Sequence, residues 1–529
     1  KGQGILMLGW PHFKGAPRTM RIVTAVLLVA VSAAHAAAQA LPNITSLGVR
    51  YTSVKNAAHA DGELKAQLDE VDKALAEARR TGNASELRRQ YARGFALLNH
   101  EAWTPALDYK ASLVLRSERT VVDSSVPYTV RLEQLYRPVL DLGSTLTATA
   151  TVRPRVAPAR PGEPMPAAPR REVGAFDSVS RDLRESPLSM ELDLAAVNDG
   201  AMVIEVAVFD GATSLGSASL NVFVSKNLDA RLRALESMAA AAPASIRADI
   251  AYPADVIRNV NRARIELLDF NVGDEIAKAE ALAATGKDPF AGRTGDFERH
   301  YVLEGANEIM PYRVYVPTTY KTGTPMPLVI ALHGLGANED SFFDSYARLP
   351  PQLAEKHGML MAAPLGFRRD GFYGSPLTAG NDPASKRRME SSEKDVLEVL
   401  RRMRAMYNVD ESRIYLMGHS MGAIGTWWLG SRYHDTWAAL VAFSGVGPAT
   451  LADNMKGLPH FIVHGDNDNT VNVSGSRNMV AALKKLNADV TYTEVPGGSH
   501  TDVVVPYLPQ AFAFMAAHKK AATGGRPYN

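Results

Sequence analysis

The 529-residue chain contains no cysteine. This rules out disulfide staples, thiolate metal sites and a cysteine nucleophile together. It also lacks an excess of either charge: 58 Lys and Arg stand against 56 Asp and Glu. No basic field invites nucleic acid or an anionic membrane surface. Long apolar runs are scarce too. The one clear run follows Met20-Arg21, is almost wholly apolar through Val31, and turns Ala-rich up to Ala38-Gln39-Ala40. A charged start, a short apolar core and an Ala-x-Ala site read as a signal peptide over residues 20–40, cleaved after Ala40. The core is too short to span a bilayer, so the expectation is a secreted or periplasmic protein with no membrane span.

What the chain does have is a serine in an unusual setting. Ile414-Tyr415-Leu416-Met417 is an apolar run that meets Gly418-His419-Ser420-Met421-Gly422, and a helical stretch through Trp427-Trp428-Leu429 follows. Strand, tight turn and helix together make a nucleophile elbow, in which glycines leave room for a turn that lifts the serine hydroxyl above the sheet edge. A hydroxyl is a weak nucleophile alone, so a base and an acid are needed elsewhere.

The rest of the chain divides by its periodicities. Residues 41–104 repeat apolar positions at three and four (Leu64, Leu68, Val71, Leu75), which predicts helices. Residues 105–225 alternate with period two in short runs, which predicts a small β-sandwich, interrupted by a Pro-rich surface stretch over 154–169. Residues 226–295 return to helix and end in a Gly-rich linker. From 296 to about 520, strands alternate with helices. This predicts an α/β domain with a doubly wound sheet, its helix over 391–407 starting with Ser391 as N-cap.

Within that last domain four motifs fall at strand ends. His333-Gly334-Leu335-Gly336 can aim backbone N–H groups at a carbonyl oxygen, the Leu335 amide joining that of Met421 as an oxyanion hole. Ser420 comes next. His464-Gly465-Asp466-Asn467-Asp468 then offers a carboxylate, with Asp466 and Asp468 competing for the role, and Gly497-Gly498-Ser499-His500 offers an imidazole. The order Ser, Asp, His is that of the α/β-hydrolase triad. His419 reads as lining or packing, and His333 and His464 as residues that hold their turns. Glu390, Glu393 and Asp395 read as helix-start residues.

Residues from about 297 to 519 resemble the secreted esterases that include polyhydroxybutyrate depolymerase-like, esterase D-like, feruloyl and acetylxylan esterases. The elbow with its following Gly425-Thr426-Trp427, the segment His464-Gly-Asp-Asn-Asp468-Asn-Thr-Val471, and Tyr492 to His500 carry the resemblance. Ala423 and Asn472 depart from the family pattern. The resemblance implies Asp468, not Asp466, as the acid. It implies acyl transfer by Ser420, His500 and Asp468, with no metal or organic cofactor, on feruloyl, acetyl or related small esters, free or polysaccharide-linked. Phe372, Tyr373 and Trp427 are the expected substrate contacts, on or near a loop over 366–389 that also carries Phe367, with Trp428 beside them; the two tryptophans read equally well as core aromatics at helix positions. A prolyl oligopeptidase-type serine peptidase is the alternative, because it uses the same fold and triad.

Overall fold

A computed structural model describes residues 44–143, 145–156, 168–266, 270–378 and 382–520. The expected signal peptide and much of the Pro-rich stretch lie outside the described residues. The chain forms two compact units. One ends at Ser237 and takes in Pro253–Glu280; the other takes Met238–Tyr252 and continues from Ala281.

The first unit opens with helices α1 (Ile44–Ala58), α2 (Gly62–Arg80), α3 (Ala84–Leu98) and α4 (Pro105–Ser112). The three-and-four spacing puts Leu68, Val71 and Leu75 on one face, where they are buried together with Leu87 and Tyr91. Asn83 caps α3 by accepting from the Glu86 amide, and Thr104 caps α4 ahead of Pro105. Strands β1 (Leu113–Arg116), β2 (Val121–Asp123), β3 (Tyr128–Gln134), β4 (Leu146–Pro154), β5 (Arg171–Val179), β6 (Leu188–Leu192), β7 (Gly200–Asp210) and β8 (Thr213–Ser225) follow. They form a three-stranded sheet, β1-β3-β6, and a five-stranded sheet, β2-β8-β7-β4-β5. One apolar core takes alternate residues from both, such as Val130 and Leu132 of β3 and Val206 and Val208 of β7. β5 was not legible in advance. It is an exposed edge strand with a polar sequence, so it lacks the alternating pattern that marks the inner strands. Helices α5 (Leu228–Ala241), α6 (Arg247–Asn261) and α7 (Val272–Thr285) come next, so the expected helical linker is divided between the units.

The second unit is built on eight strands: β9 (Gly295–Leu303), β10 (Glu308–Val316), β11 (Met326–Leu332), β12 (Leu360–Pro364), β13 (Val409–His419), β14 (Ala439–Phe443), β15 (His460–Gly465) and β16 (Val490–Val495). Their order is β16-β15-β14-β13-β11-β12-β10-β9, parallel from β12 through β16 and antiparallel where β10 meets β12 and β9. This is an α/β-hydrolase sheet. Every residue of β11, β12, β14 and β15 is buried, as expected for strands covered on both faces. Helices α9 (Pro383–Met406), α10 (Met421–Arg432) and α11 (Ser474–Lys485) cover one face, packing on Ile330 and Leu416. Helices α8 (Leu349–His357) and α12 (Val504–Ala517) cover the other, packing on Val329 and Met417.

α9 begins earlier than expected. Asp382 is its N-cap, accepting from the amides of Ala384 and Ser385, with Pro383 in the first turn. Ser391 is therefore not a cap, and Glu390, Glu393 and Asp395 are mid-helix residues. The Asp-Pro start is not legible in the sequence because the charged stretch after it shows no apolar period.

Candidate active site

In the register, Leu332 pairs with Gly418 and His419 with Phe443. The ends of β11, β13 and β14 therefore lie side by side at the carboxyl edge of the sheet, where open α/β sheets place their ligands. Ser420 sits between β13 and α10 with φ 57° and ψ −118°. That strained conformation costs about 1–3 kcal/mol in a non-glycine residue and must be imposed by its surroundings. Gly418 and Gly422 supply the imposition by close approach. A Cβ on Gly422 would stand 1.9 Å from the Leu332 carbonyl oxygen, and one on Gly418 would stand 2.2 Å from Gly422. The Ser420 amide donates to the Phe443 carbonyl at 2.9 Å, which ties the turn to β14.

His500, after β16, places Nε2 at 2.8 Å from Ser420 Oγ and Nδ1 at 2.7 Å from Asp468 Oδ2. Asp468 accepts the amides of Thr470 and Val471 on Oδ1, each at 2.8 Å, and shares His464 Nε2–H with the Val471 carbonyl on Oδ2. Burial raises the Asp468 carboxyl, but the bond to His500 and the two amides outweigh it, so its pKa lies below the ordinary value. Asp466 is turned elsewhere and accepts the Gly497 amide at 2.6 Å. The two aspartates thus divide between triad geometry and loop closure. Acid and base loops also touch backbone to backbone: a Cβ on Gly465 would meet the Gly498 carbonyl oxygen at 2.1 Å. His464, bonded through Nδ1 to Ser476 Oγ at 2.7 Å, holds its turn as expected.

At the end of β11, a Cβ on Gly334 would lie 3.5 Å from Ser420 Cβ, so this turn borders the serine. Among the described residues, neither the Leu335 amide nor the Met421 amide meets a protein acceptor. His333 is buried, with its ring nitrogens 2.8 Å from the Gly334 carbonyl and 2.7 Å from that of Leu365. Burial lowers its pKa, so it is neutral and its single N–H serves one of them.

Two of the three expected substrate contacts do not reach solvent. Trp427 and Tyr373 are 0% exposed. Trp427 packs in the core, on a helix that is buried on almost every side. Tyr373 turns inward, donating its hydroxyl to the His333 carbonyl at 3.1 Å, with its amide on Ser392 Oγ. Phe372 and Phe367 are only partly buried. Their segment carries positive φ at Phe367, Phe372 and Tyr373. Asp395, fully buried, holds it by accepting the Phe367 amide at 2.6 Å, together with the Tyr301 hydroxyl. Burial pushes the Asp395 carboxyl up to about 6 despite these donors. Trp428 donates its indole N–H to Glu393, which also takes Tyr433 and Arg432.

Residues 304–488 match the model of the Esterase family, described as “Putative esterase”; the match takes in Ser420 and Asp468 and ends before His500. Feruloyl esterase B of Neurospora crassa is 30% identical over 148 residues, covering 28% of this chain and 48% of that protein. A bifunctional acetylxylan esterase/xylanase of Neocallimastix patriciarum is 26% identical over 159 residues, 30% of this chain and 21% of that protein. The chain thus spans about half the length of the first relative and less of the second. A solved ferulic acid esterase from Anaeromyces mucronatus aligns at TM-score 0.36 and 20% identity, over 44% of this chain and 93% of its own.

Proposed function

We propose, from the match of residues 304–488 to the Esterase family model, that this chain is a serine carboxylic-ester hydrolase. The observation that carries the reading is the continuous hydrogen-bonded line from Ser420 Oγ through His500 to Asp468, at 2.8 and 2.7 Å. Ser420 Oγ attacks the ester carbonyl carbon while His500 Nε2 takes its proton. Asp468 holds the imidazole with its proton on Nδ1 and stabilises the imidazolium. The amides of Leu335 and Met421 receive the oxyanion. The imidazolium then protonates the departing alcohol. A water molecule, deprotonated by the same imidazole, releases the acid and restores Ser420.

The names of the relatives favour feruloyl or acetyl esters, small or polysaccharide-linked, as substrates. Phe372 and Phe367 are the aromatic surfaces we assign to an aryl acyl group. We also propose export through the signal peptide at 20–40, and domain limits at 41–104, 105–225 and 296–520, with the residues of 226–295 divided between the units; among the described residues no helix is long and apolar enough to cross a membrane.

Short-chain p-nitrophenyl esters, methyl ferulate, acetylated xylan and a peptide amide, offered to the wild type and to Ser420→Ala, test the reading. Ester turnover lost in the variant is the expected result. Peptide cleavage without ester preference would make the chain a serine peptidase instead.

A further inference from the structure

On the triad reading above, we propose that His419, Ser444 and Tyr346 form a clamp on the main-chain carbonyl of His500 and are positioning residues for the base. Two side-chain donors converge on that one oxygen: His419 Nε2–H at 3.0 Å and the Ser444 hydroxyl at 3.0 Å. His500 itself follows a Gly-Gly turn with little intrinsic stiffness, yet its ring must hold two partners within hydrogen-bond reach. Fixing its own carbonyl is the most direct way to fix its Cα.

Tyr346 acts one step back. The His419 ring is 5% exposed and burial pushes its pKa down to about 4, so it is neutral with one N–H to place. The Tyr346 hydroxyl lies 2.9 Å from Nδ1. Burial raises the phenol's pKa, so it keeps its proton and donates it to Nδ1. The imidazole proton is thereby left on Nε2, facing the His500 carbonyl. The three rings are also in contact, with centroids 5.8 Å apart for Tyr346 and His419 and 4.9 Å for His419 and His500.

The backbone shows what holding this clamp costs. Ser444 has φ 52°, and Tyr346, Ala347 and Arg348 have φ 51°, 57° and 55° in succession. Left-handed conformations are disfavoured for non-glycine residues, so three in a row mark a segment whose geometry is imposed. None of these residues carries a reacting atom. What they share is a path to one carbonyl.

The test uses the full chain and five variants: His419→Phe, His419→Gln, Ser444→Ala, Tyr346→Phe and the double variant His419→Gln/Tyr346→Phe. The readouts are kcat and KM on a p-nitrophenyl ester, the rate at which a fluorophosphonate labels Ser420, and the thermal midpoint. His419→Phe should lower kcat and the labelling rate about 10- to 100-fold, the order of loss expected of an ångström-scale misplacement, with KM within about twofold. His419→Gln, whose side-chain N–H can reach the same oxygen, should recover most of the loss. Ser444→Ala should lose about three- to tenfold. Tyr346→Phe should slow the wild-type background but be silent beside His419→Gln, where no imidazole proton needs placing. Equal rates for His419→Phe and wild type, no difference between Phe and Gln at 419, or a rise in KM at constant kcat would each overturn the clamp. If His419→Phe does not fold, Ser444→Ala and Tyr346→Phe each remove a single oxygen and decide the matter alone. A wild type that the fluorophosphonate fails to label would sink the triad reading itself, a result distinct from a labelled wild type with indifferent variants.

Discussion

Asp108 in the first unit and Asp468 in the second are buried to 2% and 8% exposure, and both have their oxygens satisfied. Asp108 accepts Arg89 through Nε at 3.0 Å and Nη2 at 2.8 Å, and the Val139 amide at 3.1 Å. Its network closes on a cation that never gives up its proton. Asp468 also takes two amides, but its remaining partner is an imidazole whose other nitrogen faces a hydroxyl at the edge of the sheet. Burial and hydrogen bonding alone do not separate a structural carboxylate from one proposed to serve chemistry. The identity of the last group in the line does.

Exchanging the charge in both places gives the largest expected contrast. Asp468→Asn should lower kcat by about 10⁴-fold with the fold retained, because the amide favours the wrong imidazole tautomer. Asp108→Ala should leave kcat per folded molecule unchanged and destabilise by about 3–5 kcal/mol, because it strands a partly buried Arg89. Ester kinetics and urea unfolding of both variants check this. An Asp108 variant that folds but turns over slowly would break the distinction.

A second contrast sets two glycines against each other. Gly211, in the β7–β8 turn, has φ 57° and open space around it, so Gly211→Ala should cost about 1 kcal/mol. A Cβ on Gly422 collides with the backbone of β11 instead. Gly422→Ala should cost about 3 kcal/mol or more, in line with overpacking of a rigid core, and should slow phosphonylation of Ser420. A well-folded, fully reactive Gly422→Ala would mean that the elbow is held open by something other than this close approach.

Smaller again is the effect expected of Tyr373→Phe, which deletes only the hydroxyl that the His333 carbonyl accepts. Loosening the turn that presents the Leu335 amide should reduce kcat about tenfold with KM nearly constant, a milder change than loss of an oxyanion donor itself. If KM rises instead, with kcat unchanged, Tyr373 serves the substrate after all.

These contrasts also mark what the sequence could reveal. Ser420 and the strand–turn–helix around it were legible because the elbow writes its sterics into two glycines. His500 was legible for its place after the last strand. Asp468 was separated from Asp466 only by resemblance, since both fit the same turn. The clamp on His500 left no comparable trace: Tyr346 lies in a segment without glycine that takes left-handed conformations all the same. Asp395 reads as a helix-start residue in the sequence because the charged stretch after Asp382-Pro383 hides the true start of α9, and its contact with Phe367 is a tertiary one. Tyr373 and Trp427 were expected at the cleft for their aromatic character, but apolar rings at the base of a covered sheet are drawn into its core.

The gentlest contrast is in pH. In the first unit, the histidines among the described residues, His59 and His100, are exposed. The second unit buries His419 and His460, with pKa values pushed down by burial to about 4 and about 3. It also buries Asp395 and Glu339, which burial pushes up to about 6 and about 8. For the histidines the folded pKa lies below the unfolded one, so their contribution is present above about pH 6.5 and is lost as pH falls. For the carboxyls the folded pKa lies above the unfolded one, so their contribution is present at low pH and is lost as pH rises through those values. Between about pH 4.5 and 6 the unfolded chain holds about one and a half more protons on these histidines, and the folded chain about one and a half more on these carboxyls. On these four groups the two slopes oppose each other across that window. Relative to the wild type, Glu339→Gln should strengthen the histidine term, adding a loss of up to about 1.4 kcal/mol per pH unit on acidification. His460→Leu should expose the carboxyl term and become more stable as pH falls. Urea midpoints at three pH values in the window, followed by hydrogen exchange in the strands of each unit, read both slopes. Parallel slopes in the two variants would mean that the four groups do not titrate as their burial dictates.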